Sequence, residues 1–190
     1  MELETQIARL ADLGLPLVAD RTVDDLLHSL PRELFEREPY ELLMSMLGAE
    51  VEREPWGRWF CDRAWTFDTE CVYAPGAYVG IARNLCRIAG RPGAFTDLRD
   101  HVDLESGEAW IEYTIDGRRQ RWTAEVHDDW ADTLVVTYLM GDLEHNGRRF
   151  CTRDNGQSMY LYFLDEGARH EINKLLDGRR PLVPVLGGSD

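Results

Sequence analysis

Apolar side chains recur at two spacings along the chain, and the spacing changes near residue 55. Leu3, Ile7, Leu10 and Ala11 fall at helical intervals, which predicts a helix over 3–13 closed by Gly14. Thr22, with Asp25 three residues on, predicts an N-cap for a helix carrying Val23, Leu26, Leu27 and Leu30. Pro31 and Pro39 each suit the start of a further helical turn, and Tyr40–Leu47 reads helical with Gly48 past its end. The first fifty residues are thus expected to form helical hairpins.

Beyond the Pro55–Gly57 turn the pattern changes. Arg58–Tyr73 has the aromatic and β-branched content of a strand region. Tyr78, Ile81, Ala82, Leu85 and Ile88 return to helical spacing and stop at Gly90. Asp97–Asp103 is expected to be a strand. Ala109, Ile111, Tyr113 and Ile115 alternate with polar neighbours, and a second alternating run follows Asp116-Gly117. Asp-Gly between such runs predicts a hairpin with a type I′ turn, which needs positive φ at both central residues.

Asp132 is placed to cap a helix through Val135, Val136, Leu139 and Leu143, with a strand as the alternative because of its β-branched content. Arg148–Thr152 and Ser158–Leu164 read as a second hairpin turning at Asp154-Asn155-Gly156. Asp165 caps a helix ending at Gly178, and Pro181–Val185 reads as an edge segment. The expected fold class is α+β: N-terminal helical hairpins, then a mainly antiparallel sheet with helices packed on it. No repeat or linker divides the chain, so residues 1–186 are expected to form one domain and 187–190 a loose tail.

Composition narrows the function classes. The 190 residues carry net charge −14, and only one of the 21 basic residues is Lys. The charge is uneven: residues 1–54 are net −8, 55–95 net +2, 96–132 net −7 and 133–190 net −1. This balance opposes nucleic-acid and anionic-membrane binding and suits a basic protein partner. Cys61, Cys71, Cys86 and Cys151 show no Cys-x-x-Cys spacing, so neither a zinc ribbon nor a redox motif is expected, and reduced buried thiols are. Met1–Leu10 lacks the charge and apolar run of a signal peptide, and no apolar stretch approaches the length of a membrane span, so the expected location is cytoplasmic.

Two clusters carry candidate chemistry. One is Asp97, Asp100, His101, Asp103 and Glu105; the other is His127, Asp128, Asp129 and Asp132. Both flank the predicted hairpin, which would let them meet. Carboxylates with imidazole suit a divalent cation or an activated water, so a metal-dependent hydrolase using His127 with Asp128, Asp129 or Asp103 is one alternative. Solvated strand ends and a helix N-terminus explain the same residues without chemistry. Nucleophile-elbow, phosphate-loop and dinucleotide motifs are absent. Trp56, Trp59 and Trp130 flank turns and charges, where an indole serves as an interface anchor. Trp130 stands out inside Asp128-Asp129-Trp130-Ala131-Asp132, an aromatic ringed by carboxylates.

The net charge and this acid–indole segment resemble the immunity proteins of bacterial toxin–immunity systems. The resemblance is one of type and carries no family motif. It implies a non-enzymatic, cofactor-free cytoplasmic protein that neutralises a toxin by occluding its basic active cleft. Asp128, Asp129, Trp130 and Asp132 are the partner-binding candidates, with Asp100 and Asp103 in support. A self-associating structural or regulatory protein is a further alternative.

Overall fold

The structure, a computed structural model, describes residues 1–154 and 158–186, the Asp154 side chain excepted. The fold class is α+β: N-terminal helices, then two antiparallel sheets with helices packed on them. The chain groups into two compact units. The first joins Met1–Phe67 to Gly147–Val185, and the second runs Asp68–Asn146 with Leu186.

The first unit begins with four helices: α1 (Leu3–Asp12), α2 (Val23–Ser29), α3 (Arg32–Arg37) and α4 (Glu41–Leu47). The helical spacing of α1 buries Leu3 and Leu10, and Gln6 is buried on the same face. The Gln6 amide is satisfied there: Nε2 donates to the Met1 and Phe35 carbonyls, and Oε1 accepts from the Tyr40 N–H at 2.8 Å. A buried amide so paired avoids the desolvation cost of an unmet donor and fixes α1 against the α3–α4 junction. Pro39 does not open α4; Tyr40, at φ 72°, precedes its first residue.

Strands β1 (Ala64–Asp68), β5 (Arg148–Asp154), β6 (Ser158–Asp165) and β7 (Val183–Pro184) form a sheet in the order β1-β6-β5-β7. Strand β5 pairs antiparallel with both β6 and β7. Of the expected strand region 58–73, only β1 is a strand, with isolated bridges from Trp59 to Glu50 and from Glu70 to Trp130. Helix α7 (Glu166–Leu175), capped by Asp165 on the Ala168 N–H, packs on β5 and β6. Leu26, Phe35, Leu43, Phe60, Tyr162 and Ile172 are central to one buried cluster. Each such side chain contributes about 1.5–3 kcal/mol on leaving water. Gly48 lets the end of α4 lie on β1: a Cβ there would meet the Thr66 nitrogen at 2.6 Å and the Trp65 carbonyl carbon at 2.7 Å. The Asn155-Gly156 turn and the 187–190 tail read from the sequence lie outside the described residues.

The second unit holds α5 (Ala77–Ile88), a three-stranded sheet and α6 (Thr133–Leu143). Its strands β2 (Thr96–Asp103), β3 (Glu108–Ile115) and β4 (Arg118–Ala124) run antiparallel in that order. Asp116 and Gly117 have φ of 47° and 75°, the positive pair that the Asp-Gly turn requires. Ala109, Ile111, Tyr113 and Ile115 are buried as their alternation demands, and α5 and α6 pack against β2 and β4 respectively. The Tyr113 hydroxyl donates to Asp142 at 2.7 Å and accepts from the Trp122 indole at 3.0 Å. Residues 133–143 are helical despite their β-branched content, because Asp132 supplies the cap and Val135, Val136, Leu139, Met140 and Leu143 are buried. Among the described residues, no helix is long and apolar enough to cross a membrane. None of the four cysteines is in a disulfide, and Cys61, Cys86 and Cys151 are buried.

Candidate functional site

All six residues singled out for partner binding lie in the second unit, but they take two different parts. Asp132, Asp100 and Asp103 are committed to the backbone. Asp132 Oδ1 accepts from the Leu134 and Val135 N–H groups at 2.8 and 3.4 Å, and Oδ2 accepts from Glu125 N–H at 2.8 Å. Its own N–H donates to the Tyr78 hydroxyl at 2.9 Å. Asp100 reaches from β2 to the start of α5, accepting from Gly76 N–H at 2.7 Å and Val79 N–H at 3.1 Å. Asp103 closes the β2–β3 turn by accepting from Glu105 and Ser106 N–H groups. Bonding to Ser106 holds the Asp103 carboxyl below its ordinary range. These carboxylates meet orphan donors at helix starts and a turn, and the positive end of a helix dipole favours them there.

Asp128, Asp129 and Trp130 are presented differently. They sit in a tight turn closed by Trp130 N–H on the His127 carbonyl at 3.0 Å, with Asp128 at φ 49°. Backbone bonds hold the turn against the chain leaving β1: Val72 N–H donates to the Asp129 carbonyl at 2.8 Å, and Ala131 N–H to the Thr69 carbonyl at 2.7 Å. The Asp128 side chain is exposed, and the Trp130 residue is 39% exposed. The indole is therefore partly open, and among the described residues no arginine is ion-paired with Asp128 or Asp129.

The turn forms one wall of a shallow hollow of about 650 Å³ lined by Tyr73, Leu104, Glu105, Val126, Asp128 and Asp129, with Ser106 and Gly107 at its edge. The second acidic stretch and the end of the first thus meet here. Among the described residues, no basic side chain lines the hollow. Tyr73 and Leu104 are exposed at 65% and 39%, which gives it apolar area as well as negative charge. The Tyr73 hydroxyl donates to the Glu70 carbonyl at 2.8 Å. Desolvation, then the Asp129 carboxylate beside it, raises the phenol's pKa. The Cys71 thiol is pushed up to about 11, first by burial and then by Asp68 and Asp129, so it stays protonated and poorly nucleophilic. Tyr73 and Leu104 carried no sequence signal, since only the tertiary fold decides that they face outward beside the acids.

The remaining indoles divide similarly. Trp65 is buried and stacks on Phe67, Trp122 stacks on Tyr138, and Trp110 lies under the Arg121 guanidinium. Trp56 is the most exposed, on a loop of the first unit where Arg58 donates to the Arg53, Glu54 and Pro55 carbonyls. The hydrolase alternative gains no geometric support. His127 Nε2 lies 3.3 Å from the Glu125 carboxylate, and among the described residues no three His, Cys, Asp or Glu side chains are grouped to hold a metal ion. No protein-family model matches the chain, and no match was found among curated proteins or solved structures.

Proposed function

We propose that the chain is a non-enzymatic binding protein whose partner is basic, and that it works as immunity proteins do, by covering the basic active cleft of a toxin. The carrying observation is the hollow at residues 126–129. Asp128, Asp129 and Glu105 stand there around exposed Tyr73 and Leu104, with no basic side chain among the described residues lining it and the partly open Trp130 indole in the same turn. Exposed carboxylates speed the approach of a cationic surface, while desolvated aromatic and aliphatic groups slow its departure. The turn is held by backbone bonds on both sides, so little ordering entropy is lost on binding. Asp100, Asp103 and Asp132 add to the negative field from fixed positions.

The test uses the full chain immobilised and exposed to extract and secreted protein of its native host, beside an Asp128→Asn/Asp129→Asn double variant. Asp128→Asn, at an exposed position, leaves folding stability within about 0.5 kcal/mol; Asp129 is half-buried and bonded to Tyr73, so the fold of the double variant is checked by thermal unfolding. A basic protein should be retained at low salt, elute as salt screens the charges, and be lost or at least tenfold weaker on the double variant, a change of about 1.4 kcal/mol. Its toxic activity should fall when the chain is added. A partner held equally well by the double variant overturns this reading.

A further inference from the structure

The outward face of the β2-β3-β4 sheet carries a second charged feature, and its sign is opposite to that of the hollow. Glu112 sits at its centre on β3, paired in register with Arg99 of β2 and Arg121 of β4. Arg119, two pairs along β4 and so on the same face, reaches the same carboxylate. Glu112 Oε1 accepts from Arg99 Nε at 3.2 Å and Nη2 at 2.8 Å, and from Arg119 Nε at 3.0 Å and Nη2; Oε2 accepts from Arg121 Nη1 at 3.4 Å. The Glu112 side chain is 6% exposed, whereas those of Arg99, Arg119 and Arg121 are 60%, 69% and 50% exposed.

One guanidinium fork satisfies one carboxylate. Here three share it, so most of their five donors each are turned to solvent. A hollow of about 460 Å³ opens at this point, lined by Arg99, Arg119, Glu112, Thr114, Leu98 and Asp97. Asp97 is the one other acid in that lining, and it accepts from the Thr114 hydroxyl at 3.1 Å. Around Glu112 three guanidiniums therefore meet one carboxylate, a local excess of positive charge in a chain of net −14, while Asp97 lines the hollow and Asp103 and Glu108 pair further along the same face.

We infer that this face is an anion site that takes a phosphate group. A second carboxylate would need only one more fork. A tetrahedral phosphate offers oxygens in several directions, which the Arg99 fork from β2 and the Arg119 fork from β4, both lining the hollow, can meet together. Glu112 holds the three guanidiniums in one place before the anion arrives, so the ordering cost of long side chains is met in the free protein. Arg121 also lies 4.0 Å from the Trp110 ring centroid, so an anion that draws it away alters the environment of that indole.

The experiment titrates the full chain with inorganic phosphate at constant ionic strength, with chloride as the comparison, followed by calorimetry and indole fluorescence. Saturable binding of phosphate but not chloride is expected. Arg119→Gln should weaken it roughly three- to tenfold by removing one nearby charge, and Glu112→Gln should tighten it by a similar factor. A purely structural ion-pair cluster predicts no gain from Glu112→Gln. If that variant does not fold, Arg99→Gln beside Arg119→Gln supplies the second reading. Phenyl phosphate distinguishes the source of the group: tighter binding than inorganic phosphate assigns a phosphate ester, and equal binding assigns the free ion. Equal responses to phosphate and chloride, or phosphate binding unmoved by the arginine variants, overturn the inference.

Discussion

The two compact units treat charge differently, although each pairs its most buried carboxylate with arginine. In the first, the innermost charges are paired with each other and withdrawn from solvent. Asp25, 3% exposed, receives Arg53 at 2.6 Å together with the N–H and hydroxyl of Thr22. Burial pushes its pKa up, but the Thr22 and Arg53 bonds outweigh that, so it stays below its ordinary value. Arg153, 4% exposed, donates to Glu41 at 2.6 Å and to the Arg180 carbonyl. In the second unit, Asp100, Asp103 and Asp132 meet backbone N–H groups, Asp128 faces outward, and three arginines crowd onto Glu112. Net charge therefore says little about what a surface can receive. The hydrogen-bond partners of each charge decide it, because a carboxylate that caps a helix and one that faces water count equally in the sum.

The contrast can be tested first where packing is tightest. Gly48→Ala forces a methyl into the backbone of β1 and should destabilise the first unit by about 3 kcal/mol, read by chemical denaturation. A loss below about 1 kcal/mol would mean that α4 and β1 can separate cheaply. Next is Asp132→Ala, which strips three backbone N–H groups of their acceptor and should cost about 2 kcal/mol. A cost no larger than that of Asp128→Asn/Asp129→Asn would erase the division between structural and presented carboxylates.

The smallest effect concerns Glu112. Arg99 first, then Arg119, hold its carboxyl at about 2 against an ordinary value of 4.5. Because the folded pKa is the lower one, the stability it contributes is complete above about 4.5 and is lost as pH falls towards 2. Following the Glu112 carboxyl carbon by NMR should show no titration near 4.5 in the parent and a clear rise in pKa in Arg99→Gln/Arg119→Gln. An unchanged midpoint would mean that the arginines do not hold it.

Local pattern was enough for most elements. Helical spacing located α1 and α5, the Asp-Gly pair located the β3–β4 turn, and Asp132 and Asp165 marked the starts of α6 and α7. These signals act within a few residues, through side chains on one face or bonds to the next turn. Pairing across long separations was not legible. The strands divide into two sheets, and β6 lies between β1 and β5; neither fact leaves a trace in neighbouring residues.

The same boundary runs through the candidate sites. The run Asp128-Asp129-Trp130-Ala131-Asp132 was visible as composition, yet its members behave differently. Asp132 is fixed as a cap by the helix that follows it, which the sequence already implied. Asp128, Asp129, Tyr73 and Leu104 line one hollow only because the β2–β3 turn and the chain after β1 arrive beside residues 126–129. Likewise Arg99, Glu112, Arg119 and Arg121 read as ordinary polar positions on alternating strands until the register sets them around a single carboxylate. Local chemistry is written in the chain because it acts over a turn or two. Which charges end up sharing a surface is settled when distant segments pack, since that depends on burying apolar faces far apart in sequence.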